Sequence, residues 1–65
     1  MTGKVVRVVS DKGFGFIKAD GSEDEYFFHL TAIKNGNFSS VRVGAAVTFE
    51  GEEGNKGLRA EDVYL

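Results

Sequence analysis

Lys12-Gly13-Phe14-Gly15-Phe16-Ile17 and Tyr26-Phe27-Phe28-His29-Leu30 decide the fold of this chain. Both runs are short and aromatic, and Asp20-Gly21-Ser22 between them is turn chemistry. They read as two neighbouring strands. Alternate side chains of a strand point to opposite faces. Phe14 and Phe16 therefore share one face, with Gly13, Gly15 and Ile17 on the other. In the second run Phe27 and His29 share a face, opposite Tyr26 and Phe28. Paired as a hairpin, the strands gather Phe14, Phe16, Phe27 and His29 into one aromatic surface, which the intervening glycines leave free of competing bulk.

The rest of the chain supplies further strands. Lys4 to Val9 is rich in β-branched residues, and Ser10-Asp11-Lys12-Gly13 is a turn. Phe14 to Lys18 and Glu25 to Leu30 are the second and third strands. Thr31-Ala32-Ile33 fits a single helical turn, and Asn35-Gly36-Asn37 to Gly44 reads mainly as a loop carrying Phe38. Ala46 to Glu50 is the fourth strand, with Val47 and Phe49 on one face. After the turn cluster Glu53-Gly54-Asn55-Lys56-Gly57, Leu58 to Tyr64 is the fifth. No window of about ten residues carries a helical period. Five short strands with turn-rich joints predict an all-β fold, a five-stranded antiparallel OB-fold barrel. Its expected core is Val5, Ile17, Phe28, Ile33, Val47, Phe49 and Val63, with Tyr26 left open.

Sixty-five residues suffice for one domain, residues 1–65. A domain of this size buries only about 60% of its unfolded surface. The nine glycines and the absence of proline add loop entropy that the small core must offset. With no cysteine, neither a disulfide nor a thiolate metal site is available. Arg7 interrupts the early valine run, which argues against a secretory leader. No segment approaches the roughly 20 apolar residues of a membrane span. The expectation is a soluble cytoplasmic protein with no membrane or small-molecule partner.

Formal charge is −2, yet it is unevenly spread. Residues 1–18 carry Lys4, Arg7, Lys12 and Lys18 against Asp11, net +3. Residues 19–30 carry Asp20, Glu23, Asp24 and Glu25, net −4. Residues 31–44 add Lys34 and Arg42, and residues 45–65 return net −3. Positive charge thus concentrates beside the first aromatic run. The acidic Glu23-Asp24-Glu25 stretch lacks the spacing of an ion-binding loop and reads as a solvated hairpin tip. His29, the single histidine, has no second histidine or cysteine for a metal and no recognisable triad for catalysis. The residues therefore predict no enzyme, no metal and no cofactor.

An aromatic platform on a sheet is what stacking of unpaired nucleobases requires. The two runs also resemble the paired RNA-binding motifs of the cold-shock domain, K-G-F-G-F-I and V-F-V-H-F, in that order. The resemblance covers nearly the whole chain. It extends to Gly3-Lys4-Val5, Thr31-Ala32-Ile33, Gly44 and Gly54-Asn55-Lys56-Gly57. It implies a barrel that binds single-stranded RNA or DNA. The implied stacking residues are Phe14, Phe16, Phe27 and His29, with Leu30 at the end of the second motif; the resemblance has Phe38 contacting bases from its loop, while the residues alone equally allow it to tuck over the barrel end. Lys12, Lys56 and Arg59 are the expected phosphate contacts.

The chain departs from that pattern in its first strand. The usual K-W-F-N is Val6-Arg7-Val8-Val9 here, so Arg7 and Val8 stand where the family places two stacking aromatics. Leu30 and Leu58 replace a common phenylalanine and a common proline. A guanidinium is planar, stacks on a base and reaches a phosphate, so Arg7 is the expected partial substitute. Two functions stay open on this reading. One is a single-strand binder of the RNA-chaperone or cold-shock-regulator kind. The other is a divergent barrel that turns the same face to a protein partner or a second copy of itself; monomer and homodimer are both compatible with the sequence.

Overall fold

The computed structural model describes residues 1–54 and 57–65. The strands are β1 (Thr2–Val9), β2 (Phe14–Ala19), β3 (Glu25–His29), β4 (Ala46–Gly54) and β5 (Gly57–Tyr64). They close into a barrel in the order β1-β2-β3-β5-β4, with β4 returning to β1. The all-β barrel expected from the turn spacing is therefore present. One detail is corrected: β3 and β5 run parallel, while every other pair is antiparallel. A parallel pair needs a crossover. The chain supplies it by leaving β3, passing through two short 3-10 turns, Leu30–Ala32 and Phe38–Ser40, and laying β4 against β1 before β5 returns. Leu30 consequently belongs to the first of those turns and not to the third strand.

The core consists of Val5, Ile17, Ala19, Tyr26, Phe28, Val41, Val47, Phe49, Ala60 and Val63. Tyr26, left open by the sequence, is buried, and its ring lies 5.2 Å from that of Phe49. Ile33 packs against the core from a half-buried position, bridged to Val63. Val41 closes the barrel from the segment that reads as loop. Ala19 and Ala60 are the small inward residues of their strands.

Gly15 serves the inside of the barrel, opposite to the face it was expected to keep open. It pairs with Phe28, and a Cβ there would stand 2.8 Å from that ring and 2.6 Å from the Arg7 carbonyl oxygen. Glycine thus lets a phenylalanine fill the core at this level. At Gly13 the need is conformational: φ is +73°, and Leu30 packs over the missing side chain.

Two irregularities set which side chains face out. In β1, Val5 pairs with Ile17 and Arg7 with Phe16, so Val6 is an extra residue. Strict alternation from buried Val5 would turn Arg7 inward; the bulge turns it outward. In β5, Glu61 pairs with Glu50 and Tyr64 with Thr48, which leaves one more residue on β5 than on β4. Asp62 in that stretch has a φ of +50°, a conformation aspartate tolerates better than most residues. This is how Ala60 and Val63, three apart, both point inward.

Replacing Gly15 with alanine forces Phe28 or the β1 backbone to move. Gly15→Ala should cost about 1–3 kcal/mol. The melting temperature should fall by about 4–8 °C per kcal/mol for a domain of this length. An unchanged thermal melt would show that the Phe28 ring is not confined at this point.

Candidate nucleic-acid interface

The outer face of β1, β2, β3 and β5 is laid out in transverse rows. Cross-strand partners share a face. Arg7 pairs with Phe16, Phe16 with Phe27, and Phe27 with Arg59. One row thus reads arginine, phenylalanine, phenylalanine, arginine across four strands. The next row joins Val9, Phe14 and His29. On the other side lies the charged row Lys4, Lys18 and Glu25, with Lys18 also 3.5 Å from Glu23.

The aromatic rings expected to gather do so. Phe14 and Phe27 centroids are 5.3 Å apart, Phe16 and Phe27 5.9 Å, and Phe14 and Phe16 6.0 Å. The inclined and edge-on arrangement is the one the ring quadrupole favours. All three phenylalanines are half-buried, whereas Phe28, next to Phe27 in sequence, is 1% exposed. They cover one another and leave ring surface open to solvent.

His29 is exposed and its ring is fixed. Its Nδ1 accepts a hydrogen bond from the Thr31 backbone N–H at 3.3 Å and lies 3.0 Å from the Thr31 hydroxyl. A backbone N–H can only donate, so Nδ1 is the acceptor and the neutral ring carries its proton on Nε2. Among the described residues that donor has no hydrogen-bond partner. Thr31, which orients the ring, did not stand out in the sequence.

The remaining predicted residues divide. Lys12 lies in the turn that leads into Phe14, and neither Lys12 nor Arg7 has an ion-pair partner among the described residues. Leu30 is 43% exposed where it packs over Gly13, beside the start of β2. Phe38 does not join the cluster: it packs on the core, its ring 6.3 Å from that of Phe28. This is the barrel-end position. Val8, at the second substituted position of the first strand, pairs with Gly15 and also packs on the core. Lys56 lies outside the described residues.

Arg59 borders the platform, and Glu61 accompanies it. The Arg59 guanidinium meets the Glu61 carboxylate at 2.5 Å. A cavity of about 170 Å³ lies where β5 meets β3 and the Leu30–Ala32 turn, walled by Phe27, His29, Lys34, Arg59 and Glu61. A broader depression of about 470 Å³ lies over Phe16, Phe27, Leu58 and Arg59. Phe27 borders both. In the sequence Glu61 counts only among the acidic residues of 45–65 and is not marked as a site residue. Its signal was available, since two residues after Arg59 in a strand it shares that residue's face.

Charge is polarised across this surface. The β1 side carries Lys4, Arg7 and Lys12. Beyond Arg59, the β4 partners are acidic: Glu52 pairs with Arg59 and Glu50 with Glu61. Among the described residues no helix is long and apolar enough to cross a membrane.

Comparison with known proteins agrees with this geometry. Residues 1–65 match the model of the 'Cold-shock' DNA-binding domain. The cold shock-like protein CspE of Bacillus anthracis is 46% identical over 63 residues, covering 97% of this chain and 92% of that protein. The cold shock protein CspD of Bacillus subtilis is 44% identical over 61 residues, covering 94% and 91%. In structure, the chain superposes on drosophila Unr CSD456 with a TM-score of 0.75 at 20% identity, over 97% of this chain and 25% of that one. That likeness speaks for the fold alone. With the family model spanning its full length and close to half its residues shared with such relatives, the chain belongs to the cold-shock domain family.

Proposed function

We propose that this protein binds single-stranded nucleic acid, RNA or DNA, by stacking unpaired bases on Phe14, Phe16, Phe27 and His29. The observation that carries the reading is the β2–β3 register, which places Phe14 opposite His29 and Phe16 opposite Phe27 on one open face. Each base stacked on such a ring contributes about 1–3 kcal/mol with little regard to sequence. Arg7 and Lys12 meet the phosphates on the β1 side. Held in this way, strands cannot pair with one another, which is the action of an RNA chaperone or a cold-shock-type regulator in the cytoplasm. The family model, named for DNA binding, and the cold-shock names of the relatives support the same reading. The protein acts as a binding module and not as an enzyme. Its histidine is held by Thr31, and among the described residues no third side chain orients that pair as an activated nucleophile requires.

Three measurements test this. Single strands should bind more tightly than a duplex of the same sequence, because a duplex keeps its bases stacked inside. Equal affinity for both in a fluorescence titration would remove stacking as the basis of binding.

Phe27→Ala should weaken oligonucleotide binding by about 5- to 150-fold, the equivalent of one lost stacking contact. The domain should stay folded, since the half-buried ring packs on the Phe14 and Phe16 rings of the outer face and lies outside the core cluster. Phe28→Ala is the contrast: truncating this buried ring should cost about 3–5 kcal/mol, enough to unfold a marginal small domain. Melting curves that rank the two variants the other way would overturn the assignment of faces.

Arg7→Ala should weaken binding and flatten its salt dependence by about 0.7 in the slope of log K against log salt, the share of one phosphate on a single strand. Arg7→Trp should regain affinity at high salt, where charge is screened and stacking persists. If neither variant changes affinity or slope, Arg7 lies outside the site, and the face is better read as a protein-contact surface.

A further inference from the structure

We propose that Glu61, paired with Arg59 at the β5 edge of the aromatic face, discriminates between bases and favours those carrying an exocyclic amine beside a ring nitrogen, cytosine and adenine, over uracil. The proposal rests on the stacking function above and assigns a specificity to it.

Position is the first support. Phe27 and Arg59 are register partners in the parallel β3–β5 pair. Two residues further along each strand stand His29 and Glu61, and both wall the same small cavity. A base lying over Phe27 and His29 extends one edge toward β5, where this cavity begins. At about 170 Å³ the cavity is well below the roughly 300–1,000 Å³ of small-molecule pockets and suits the edge of one planar ring.

Charge supplies the orientation. A strand on this platform has its phosphates on one side and its base edges on the other. The β1 side offers Lys4, Arg7 and Lys12. The β5–β4 side offers Glu50, Glu52 and Glu61, with Arg59 already engaged by Glu61. Lys34, which also walls the cavity, is paired with Asp62 at 3.5 Å, so phosphates are drawn to the first side more than to the second and base edges face Glu61 and Arg59.

Chemistry then decides which bases fit. A carboxylate only accepts hydrogen bonds, and a guanidinium only donates them. Cytosine presents an amine at C4 beside the acceptor N3, and adenine an amine at C6 beside N1. Glu61 accepts from the amine while Arg59 donates to the ring nitrogen, the same use of a carboxylate that reads cytosine N4 in duplex recognition. In the same seating uracil sets its C4 oxygen against the Glu61 carboxylate and its N3–H donor against the Arg59 guanidinium, so both contacts are mismatched. The Arg59–Glu61 pair itself is solvent-exposed, at 59% and 41% of the two side chains. Exposed ion pairs of this kind are weak, so a base separates the partners at little cost. Glu61 also stands directly opposite Glu50 across the β4–β5 ladder. Like charges so placed disfavour the sheet, so stability of the barrel does not account for a glutamate there.

The test uses oligodeoxycytidylate and oligodeoxyuridylate of about six nucleotides, within the site size of one such barrel. The two differ at the base edge and have rings of equal size. Titrations at mildly alkaline pH, where cytosine runs stay unpaired, compare the protein with Glu61→Gln and Glu61→Ala. The wild-type protein should bind the cytosine oligomer roughly three- to tenfold more tightly, the worth of one hydrogen bond. Both variants should bring the ratio close to one while melting as the wild type does. A wild-type ratio of one or below overturns the proposal, and so does a ratio unchanged in both variants. Equal tightening of both oligomers with a steeper salt slope also overturns it, by showing that Glu61 merely neutralises Arg59. Binding of neither oligomer by the wild-type protein would instead bring down the single-strand reading on which the proposal stands.

Discussion

The register between β2 and β3 is the constraint on which the molecule depends. Ile17 opposite Tyr26 and Gly15 opposite Phe28 fix the inside; Phe14 opposite His29 and Phe16 opposite Phe27 fix the outside. A slip of one residue would exchange the two sets. Turning β3 over would bury His29 and expose Phe28, and turning β2 over would bury Lys18 and expose Ile17. The space at Gly15 guards against that slip, because Phe28 fits the barrel only where its neighbour on β2 has no side chain. The core and the aromatic face are therefore one decision. Any change that loosens Phe28 at Gly15 also loosens the alignment of Phe14, Phe16 and Phe27.

This dependence explains how much could be read from the sequence. The alternation in Phe14 to Ile17 and Tyr26 to His29 is strict, and period two carries facing information with no need of tertiary context. The hairpin, the aromatic cluster and the burial of Ile17 and Phe28 followed from it. What did not follow depends on contacts distant in sequence. The parallel β3–β5 pair is produced by the route of the chain over the barrel end, and no local pattern records that route. Val41 sits among glycine and polar residues in a stretch without strand periodicity, so its burial reflects where the loop crosses the barrel. Phe38, half-buried on the core, presents the same ambiguity: a single aromatic in a loop carries no face.

The bulges lie between these extents of legibility. Val5-Val6-Arg7-Val8-Val9 has no alternation that marks Val6 as the extra residue. Only the pairing of Arg7 with Phe16 shows that the strand changes phase, and with it an arginine moves from the barrel interior to the platform. An unpaired guanidinium inside so small a core would be prohibitively costly. The bulge is thus the solution that lets the first strand carry a charge at this position. In β5 the second irregularity performs the matching service, keeping Ala60 and Val63 inward while Arg59 and Glu61 face out.

A negatively charged chain that binds a polyanion must separate its charges in space. The barrel measures 25 × 23 × 18 Å, while charge interactions at physiological salt are screened over about 8 Å. At that salt a phosphate near Arg7 and Lys12 responds to those residues far more than to the β4 carboxylates. The net −2 is then a poor guide to affinity, and the gradient from β1 to β4 is the better one. The gradient does more than tolerate the acids. A platform basic along both edges would hold a strand in either orientation, since stacking alone does not distinguish which edge of a base points where. On the proposed stacking, a basic edge at Arg7 and an acidic edge beyond Arg59 would remove that degeneracy, with the three rings between them as the contact area.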